Sequence, residues 1–243
     1  MDPRMTRLIF RDDAYLREAP GLVLAVSEAG VELDASLFYA QAGGQPGDTG
    51  TLVWEGGEMP IANTVKGEGD TVLLKLAEGA ATPPVGAAVT QRLDWDRRYR
   101  HMRMHTSMHL LCSLIPGAGV TGGQIGADRS RLDFDLAEPP AKEWLTDRLN
   151  ALIAANHPIT QSWITTEELD ANPTLVRTLS VQPPRVGGQI RLVRIGAGEP
   201  PVDLQPCGGT HVAATGEIGR VAVTKLENKG KQNRRVYLVL EEG

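Results

Sequence analysis

The run from Trp95 to Leu114 contains neither glycine nor proline and is stopped by Ile115-Pro116-Gly117, which commits the chain to one long helix at that point. Before it the pieces are short. Leu22–Val26, Val31–Leu33, Thr51–Trp54 and Thr71–Leu76 are apolar or alternating runs separated by Gly, Asp and Glu turns, the pattern of a small barrel or sandwich. The Ala-, Pro- and Gly-rich stretch Gly79–Gly86 is a loop leading to a last strand near Ala87–Leu93. A first domain is therefore expected over residues 1–93 and a second over 94–243.

After the long helix the sequence predicts a glycine-rich loop (Gly117–Gly126), then a strand alternating Leu132, Phe134 and Leu136. A helix follows over Ala141–Asn156, introduced by Pro139-Pro140 and ended by His157-Pro158. Ile159–Thr165 reads as a strand, Thr166–Asn172 as a short helix, and Ile190–Ile195, Gly219–Lys225 and Arg235–Leu240 as strands. The expected fold class is α+β: an N-terminal β-barrel, then helices packed on an antiparallel sheet.

With 41% hydrophobic residues in 243, the chain is long enough to bury a real core. Nothing approaches the apolar length of a bilayer span. The amino terminus mixes Arg4, Arg7, Arg11, Asp12 and Asp13 where a signal peptide would be apolar, so a cytoplasmic protein is expected, with no membrane partner. Cys112 and Cys207 are the only cysteines, which excludes a disulfide framework and obliges any metal site to recruit other donors. The net charge of −5 argues against a protein that coats nucleic acid through its overall field, but leaves room for local patches. Two basic clusters exist, one from Arg92 to Arg103 and one from Lys225 to Arg235.

His105-Thr106-Ser107-Met108-His109 sets two imidazoles one helical turn apart on one face, within reach of a single metal ion. The same spacing is also compatible with an ordinary surface or core pair. A metalloprotease is excluded: that helix needs a glutamate after the first histidine, and the residue here is Thr106. Cys207-Gly208-Gly209-Thr210-His211 offers a thiolate and an imidazole across two glycines that permit a tight path, or else a plain glycine turn with a buried thiol. Together His105, His109, Cys207 and His211 form a borderline-soft donor set suited to one tetrahedral zinc ion. Cys112 shares the helical face but sits among Leu110, Leu111, Leu114 and Ile115 and is read as core. Four permanent ligands would make the site structural; three with water would make it catalytic.

These two motifs, with Thr215-Gly216-Glu217-Ile218-Gly219 and the glycine-rich run Phe38–Gly50, resemble the editing domain of alanyl-tRNA synthetases from about Leu8 to Leu240. The chain is too short to hold an aminoacylation core as well, so it resembles a free-standing editing protein of the AlaX type in its two-domain form. The resemblance implies ATP-independent hydrolysis of Ser-tRNA(Ala), with Gly-tRNA(Ala) as a second substrate, in the service of translation fidelity. The threonyl branch shares the ligand pattern, and the Gly43-Gly44-Gln45 segment favours the alanyl one. Gln41 and Ala42 stand where the family has an acidic residue and a third glycine, and no counterpart of the synthetase's C-terminal tRNA-binding domain is present.

For substrate handling the expected residues are Gln45 near the ester or acceptor end, and Thr121 and Gln124 as partners for the seryl hydroxyl that distinguishes the wrong substrate from Ala-tRNA. Arg97, Arg98, Arg100, Lys229, Lys231, Arg234 and Arg235 are expected to contact acceptor-stem phosphates of the tRNA. No protein partner can be inferred. The competing reading is a non-catalytic, zinc-stabilised RNA-binding module in which all four ligands close the site.

Overall fold

The computed structural model describes residues 5–179, 182–183 and 188–241. The chain divides into two compact units, Met1–Tyr99 and Arg100–Gly243, the division falling near the start of the long helix.

In chain order the first unit contains β1 (Arg7–Leu8), α1 (Ile9–Asp12), β2 (Glu18–Ser27), β3 (Gly30–Leu33), β4 (Ala35–Ser36), β5 (Gly50–Trp54), β6 (Gly57–Lys66), β7 (Val72–Leu76) and β8 (Ala88–Leu93). Six of these strands close into a barrel in the order β2-β3-β7-β6-β5-β8, and β1 pairs in parallel with β4. Closure removes the sheet edges, and the inward residues of the alternating strands fill the interior: Val23, Val31, Leu33, Leu52, Met59, Ile61, Leu74 and Val89 are all buried. Strand β6 is missing from the sequence reading because Pro60 interrupts it; a proline lacks the ladder N–H and normally demotes a run to an edge. Here its carbonyl still serves, accepting from the Ala77 N–H at 3.3 Å.

The glycine-rich segment turns back on itself at Gly43-Gly44, both at positive φ (55° and 81°), a two-residue hairpin closed by reciprocal bonds between Ala42 and Gln45. Ala42 needs no left-handed backbone, so its departure from glycine costs nothing in this turn. Farther on, Asp48 takes up Arg98. The Arg98 guanidinium bonds Asp48 Oδ2 through Nε (2.9 Å) and Nη2, and its remaining donors reach the carbonyls of Ala14 (3.0 Å) and Leu37 (2.9 Å). Both side chains are buried.

The long helix α2 (Trp95–Leu114) has the predicted bounds. Asp94 supplies its start, its carboxylate accepting the Arg97 N–H at 3.2 Å in the manner of an N-cap. The second unit continues with β9 (Gly119–Gln124), β10 (Arg129–Asp135), α3 (Lys142–Ala154), β11 (Ile159–Thr165), α4 (Thr166–Ala171), β12 (Gln189–Ile195), β13 (Asp203–Pro206), β14 (Val221–Asn228) and β15 (Asn233–Leu240). They form two antiparallel sheets, β14-β15-β10-β9 and β11-β12-β13. α3 buries Leu145, Leu149 and Ile153, and its Thr146 and Asn150 side chains bond the backbone of β14, fixing the helix to that sheet. Asn156 in the left-handed region (φ 51°) ends the helical path. The expected α+β class, with a barrel ahead of antiparallel sheet and a few helices, is the fold observed.

One predicted loop is a strand. Gly117–Gly126 was expected to be irregular, yet its middle pairs with β10 as β9, with a bulge opposite Asp133/Phe134. Two close neighbours account for the glycines: a Cβ on Gly122 would lie 3.2 Å from Asp133 Oδ2, and one on Gly123 would lie 3.1 Å from Leu132 Cδ2. The outer edge of β9 is held by Val120, whose N–H donates to Arg177 O (2.8 Å) and whose carbonyl accepts from Leu179 (2.9 Å). Among the described residues no helix is long and apolar enough to cross a membrane.

Removing one member of the buried Arg98–Asp48 pair strands the other charge. Arg98→Met or Asp48→Ala should destabilise the protein by about 3–5 kcal/mol in urea unfolding. The exposed Arg7–Asp12 pair serves as the control, and Arg7→Met should leave the midpoint unmoved.

Candidate metal centre

The four residues singled out by spacing come together. The ligand atoms of His105, His109, Cys207 and His211 all lie within 4.8 Å of one another, a group able to hold a metal ion. Helix α2 presents His105 and His109 on successive turns, their ring centroids 5.2 Å apart. The segment after β13 delivers the other two: Cys207 Sγ lies 3.6 Å from His105 Nε2 and 3.3 Å from His211 Nε2. Arg191 fixes that segment, donating through Nη1 to the carbonyls of Cys207 (3.0 Å) and Gly209 (2.8 Å). The Gly209 N–H points back at Sγ at 3.4 Å. The three imidazoles are buried and Cys207 is half-buried.

Each of two imidazoles is held from behind. His109 Nδ1 lies 2.9 Å from Asp203 Oδ2, whose second donor is Gln205 Nε2 at 2.8 Å. An ionised carboxylate only accepts, so Nδ1 carries the proton and Nε2 is the nitrogen left for a metal. His211 Nδ1 lies 3.1 Å from Thr106 Oγ1. That hydroxyl donates its own proton to Met102 O (2.9 Å) and accepts from the Val212 N–H (3.3 Å), so its remaining lone pair takes an N–H from His211. Nε2 of His211, beside Cys207, is again left free.

The electrostatics prepare a thiolate. Burial alone would push the Cys207 thiol up, but His105 first, with a hydrogen bond from His109, holds it well below the ordinary thiol range. Burial and the neighbouring His105 push His211 well below the usual imidazole value, which keeps it neutral. Burial also opposes charge on His109, yet the Asp203 carboxylate and Cys207 outweigh it and raise the imidazole to about 10. Cys112 belongs to the core. Burial pushes its thiol up to about 12, a poor state for a ligand.

The remaining expected residues are placed as follows. Gln45 lies in the first unit, where its backbone closes the Gly43-Gly44 hairpin and its side chain is buried. Thr121 and Gln124 stand on β9: Thr121 Oγ1 donates to Asn233 Oδ1 at 3.4 Å, and Gln124 Oε1 accepts from Arg131 Nε at 3.4 Å. Asp133 is bound by Arg131 (2.7 Å) and twice by Arg235 (2.7 and 2.8 Å). Although partial burial opposes it, those two guanidinia hold the carboxyl below its usual range, which makes it a weak proton acceptor.

The basic set is unequal. Arg98 corrects the expectation of phosphate contact: it is buried and its guanidinium is spent on Asp48 and two carbonyls. Arg234 bonds the carbonyls of Gly230 (2.8 Å) and Lys231 (3.3 Å) in its own β14–β15 turn, and Arg235 is engaged by Asp133. Arg100 lies 3.2 Å from Asp128 and Lys229 lies 3.1 Å from Glu227. Arg97 is partly buried, and Lys231 is exposed.

Sequence reasoning missed Asp203, Gln205 and the supporting role of Thr106. A signal was present in Val202-Asp203-Leu204-Gln205-Pro206: polar residues alternate along a strand whose buried side they occupy, and that side faces His109.

Residues 13–97 match the family model of tRNA synthetases class II (A), and residues 190–237 match that of the threonyl and alanyl tRNA synthetase second additional domain. Alanyl-tRNA editing protein AlaX-M of Methanosarcina acetivorans is 37% identical over 247 residues, covering 97% of this chain and 99% of that protein. The protein of the same name from Saccharolobus solfataricus is 34% identical across 98% of this chain and 100% of its own length. Alanine–tRNA ligase of Pyrobaculum aerophilum is 37% identical across 91% of this chain, which spans 25% of that longer protein. With such identity running through nearly the whole of both chains, this sequence belongs to the family of free-standing alanyl-tRNA editing proteins of the AlaX-M type.

Proposed function

We propose that this protein acts in trans on mischarged tRNA(Ala), hydrolysing the ester of Ser-tRNA(Ala), and of Gly-tRNA(Ala) as a second substrate, at one zinc ion held by His105, His109, Cys207 and His211. The observation that carries the reading is the convergence of those four donors within 4.8 Å, in a chain of the alanyl-tRNA editing family.

A thiolate with three imidazoles fits zinc better than the harder oxygen-seeking cations, and four donors match its tetrahedral preference. Bound there, zinc would supply Lewis acidity toward the ester carbonyl or water, which requires either a loosely held fourth donor, His211, or expansion of its coordination sphere. The protein's own groups set the conditions. Thr106 and Asp203 fix the ring orientation of His211 and His109. Asp133, locked between two arginines, is unsuited to the role of general base.

Selection against Ala-tRNA turns on one hydroxyl. A pocket that hydrogen-bonds it leaves its own donor or acceptor unpaired when alanine enters, which disfavours Ala-tRNA(Ala) relative to Ser-tRNA(Ala). Thr121 and Gln124 are the candidates for that contact, each carrying a side-chain polar group on β9, bonded at 3.4 Å to Asn233 and to Arg131 respectively. For the nucleic acid, Lys231 and Lys229 on the β14–β15 turn, with Arg100, are the cations best placed to meet phosphate, because their charges reach the surface.

The purified protein should contain one zinc and deacylate Ser-tRNA(Ala) while sparing Ala-tRNA(Ala). Cys207→Ala should lose the metal and more than about 100-fold in rate, and tight tRNA binding by zinc-loaded protein without any deacylation would refute the reading. Thr121→Val and Gln124→Leu separate recognition from chemistry: the variant that removes the hydroxyl's partner should lose about tenfold in kcat/KM on Ser-tRNA(Ala) and keep its rate on Gly-tRNA(Ala), whose amino acid lacks the hydroxyl. tRNA affinity should fall as salt rises, and Lys231→Ala should reduce the slope of log K against log salt by about one, read from binding titrations over a salt series.

A further inference from the structure

Asp203 is a costly residue to bury. Its side chain is fully buried, Oδ2 faces His109 Nδ1 at 2.9 Å and Gln205 Nε2 at 2.8 Å, and Oδ1 is buried with no hydrogen-bond partner among the described residues. Two leucine-sized neighbours would fill such a place at lower cost if the strand served only to pack, since a buried carboxylate with an unmet oxygen is expensive unless a positive charge answers it. His109 alone does not explain it, because an imidazole can be oriented by a neutral acceptor. The same site shows this: His211 is oriented by the Thr106 hydroxyl, 3.1 Å from its Nδ1.

Charge balance accounts for the difference. The zinc reading puts a divalent cation among three neutral imidazoles and one thiolate, leaving one positive charge uncancelled in a buried site. One carboxylate behind one imidazole cancels it. On that reading of the metal centre, we infer that Asp203 is a positioning residue that holds His109 in the Nδ1–H tautomer and supplies the second negative charge that neutralises the site, with Gln205 fixing the carboxylate in place. The polar interaction passes through the ring: the carboxylate withdraws the Nδ1 proton and makes Nε2 the more basic donor. Gln205 Nε2 also lies 3.1 Å from Nδ1, but its amide hydrogen goes to the carboxylate oxygen, since Nδ1 already carries a proton.

The decisive variant is Asp203→Asn, which keeps size and a hydrogen-bond acceptor and removes the charge. Zinc affinity would be measured by competition with a chromogenic chelator, on the full chain, beside the unaltered protein and with the thermal melt of each apoprotein as the check on folding. Zinc should bind about 10–100-fold more weakly to Asp203→Asn. If the unaltered protein takes up zinc and the variant takes it up equally tightly, the inference is overturned while the metal reading stands. If the unaltered protein takes up none, the metal reading itself falls. Should the variant fail to fold, nitrogen-labelled histidine in the unaltered, zinc-loaded protein decides the matter by magnetic resonance: a protonated Nδ1 and a metal-bound Nε2 on His109 support the inference, and the reverse tautomer overturns it.

Discussion

Burying three imidazoles and a thiolate within 4.8 Å of one another is the demand to which much of the second unit answers. Such a group desolvates four polar side chains at once, and neighbouring charges of one sign would repel in a low-dielectric interior. Every local arrangement around it reduces that cost. α2 supplies two rings from adjacent turns, Arg191 fixes the carbonyls that carry Cys207 and Gly209, and the Gly209 N–H turns toward the sulfur. A metal ion held by such a group would couple binding to folding, because the four donors converge only in the folded chain.

The first unit meets a different constraint with a different device. A closed barrel has no free edge, but the segment that runs from its strands into α2 must still be fastened, and the buried Arg98–Asp48 pair does this. Arg98 reaches back to the carbonyls of Ala14 and Leu37, so one guanidinium ties the amino-terminal arm, the stretch before the glycine hairpin and the first turn of α2. Asp48 also accepts the Tyr39 N–H at 2.6 Å, closing the base of the loop that carries Gly43, Gly44 and Gln45. The glycine-rich motif is thereby a structural joint whatever its tip touches.

Legibility in the sequence followed locality. α2 was readable to the residue because Asp94 and Pro116 punctuate it, and β11 because a proline precedes it and a capping box at Thr165 follows. β6 and β9 were not readable, since Pro60 and the glycines 119, 122 and 123 signal breaks that only the paired neighbours overrule. β13 was hidden for the opposite reason: its buried face is polar, so the usual apolar alternation is inverted. The same distinction holds at the site. Helical spacing brings His105 to His109, and a short glycine link brings Cys207 to His211, but the approach of Asp203 to His109 joins residues far apart in the chain. The cluster of arginines at the start of α2 shows the converse error, because a run of like charges gives no warning that its member Arg98 is turned inward onto a carboxylate.

Thr106 illustrates how one position can be read for what it excludes and still be misjudged for what it does. Its presence after His105 removes the glutamate that a metalloprotease requires, and that is the only inference the sequence supports. In the fold its hydroxyl is saturated: the proton goes to Met102 O, one lone pair to the Val212 N–H and the other to His211 Nδ1. It therefore orients His211 without adding charge, whereas Asp203 orients His109 and adds one. The two imidazoles are consequently unequal donors although they sit in one cluster. His109 is backed by a carboxylate and His211 by a neutral hydroxyl, so a change behind His109 alters the charge of the cluster while a change behind His211 alters only its geometry.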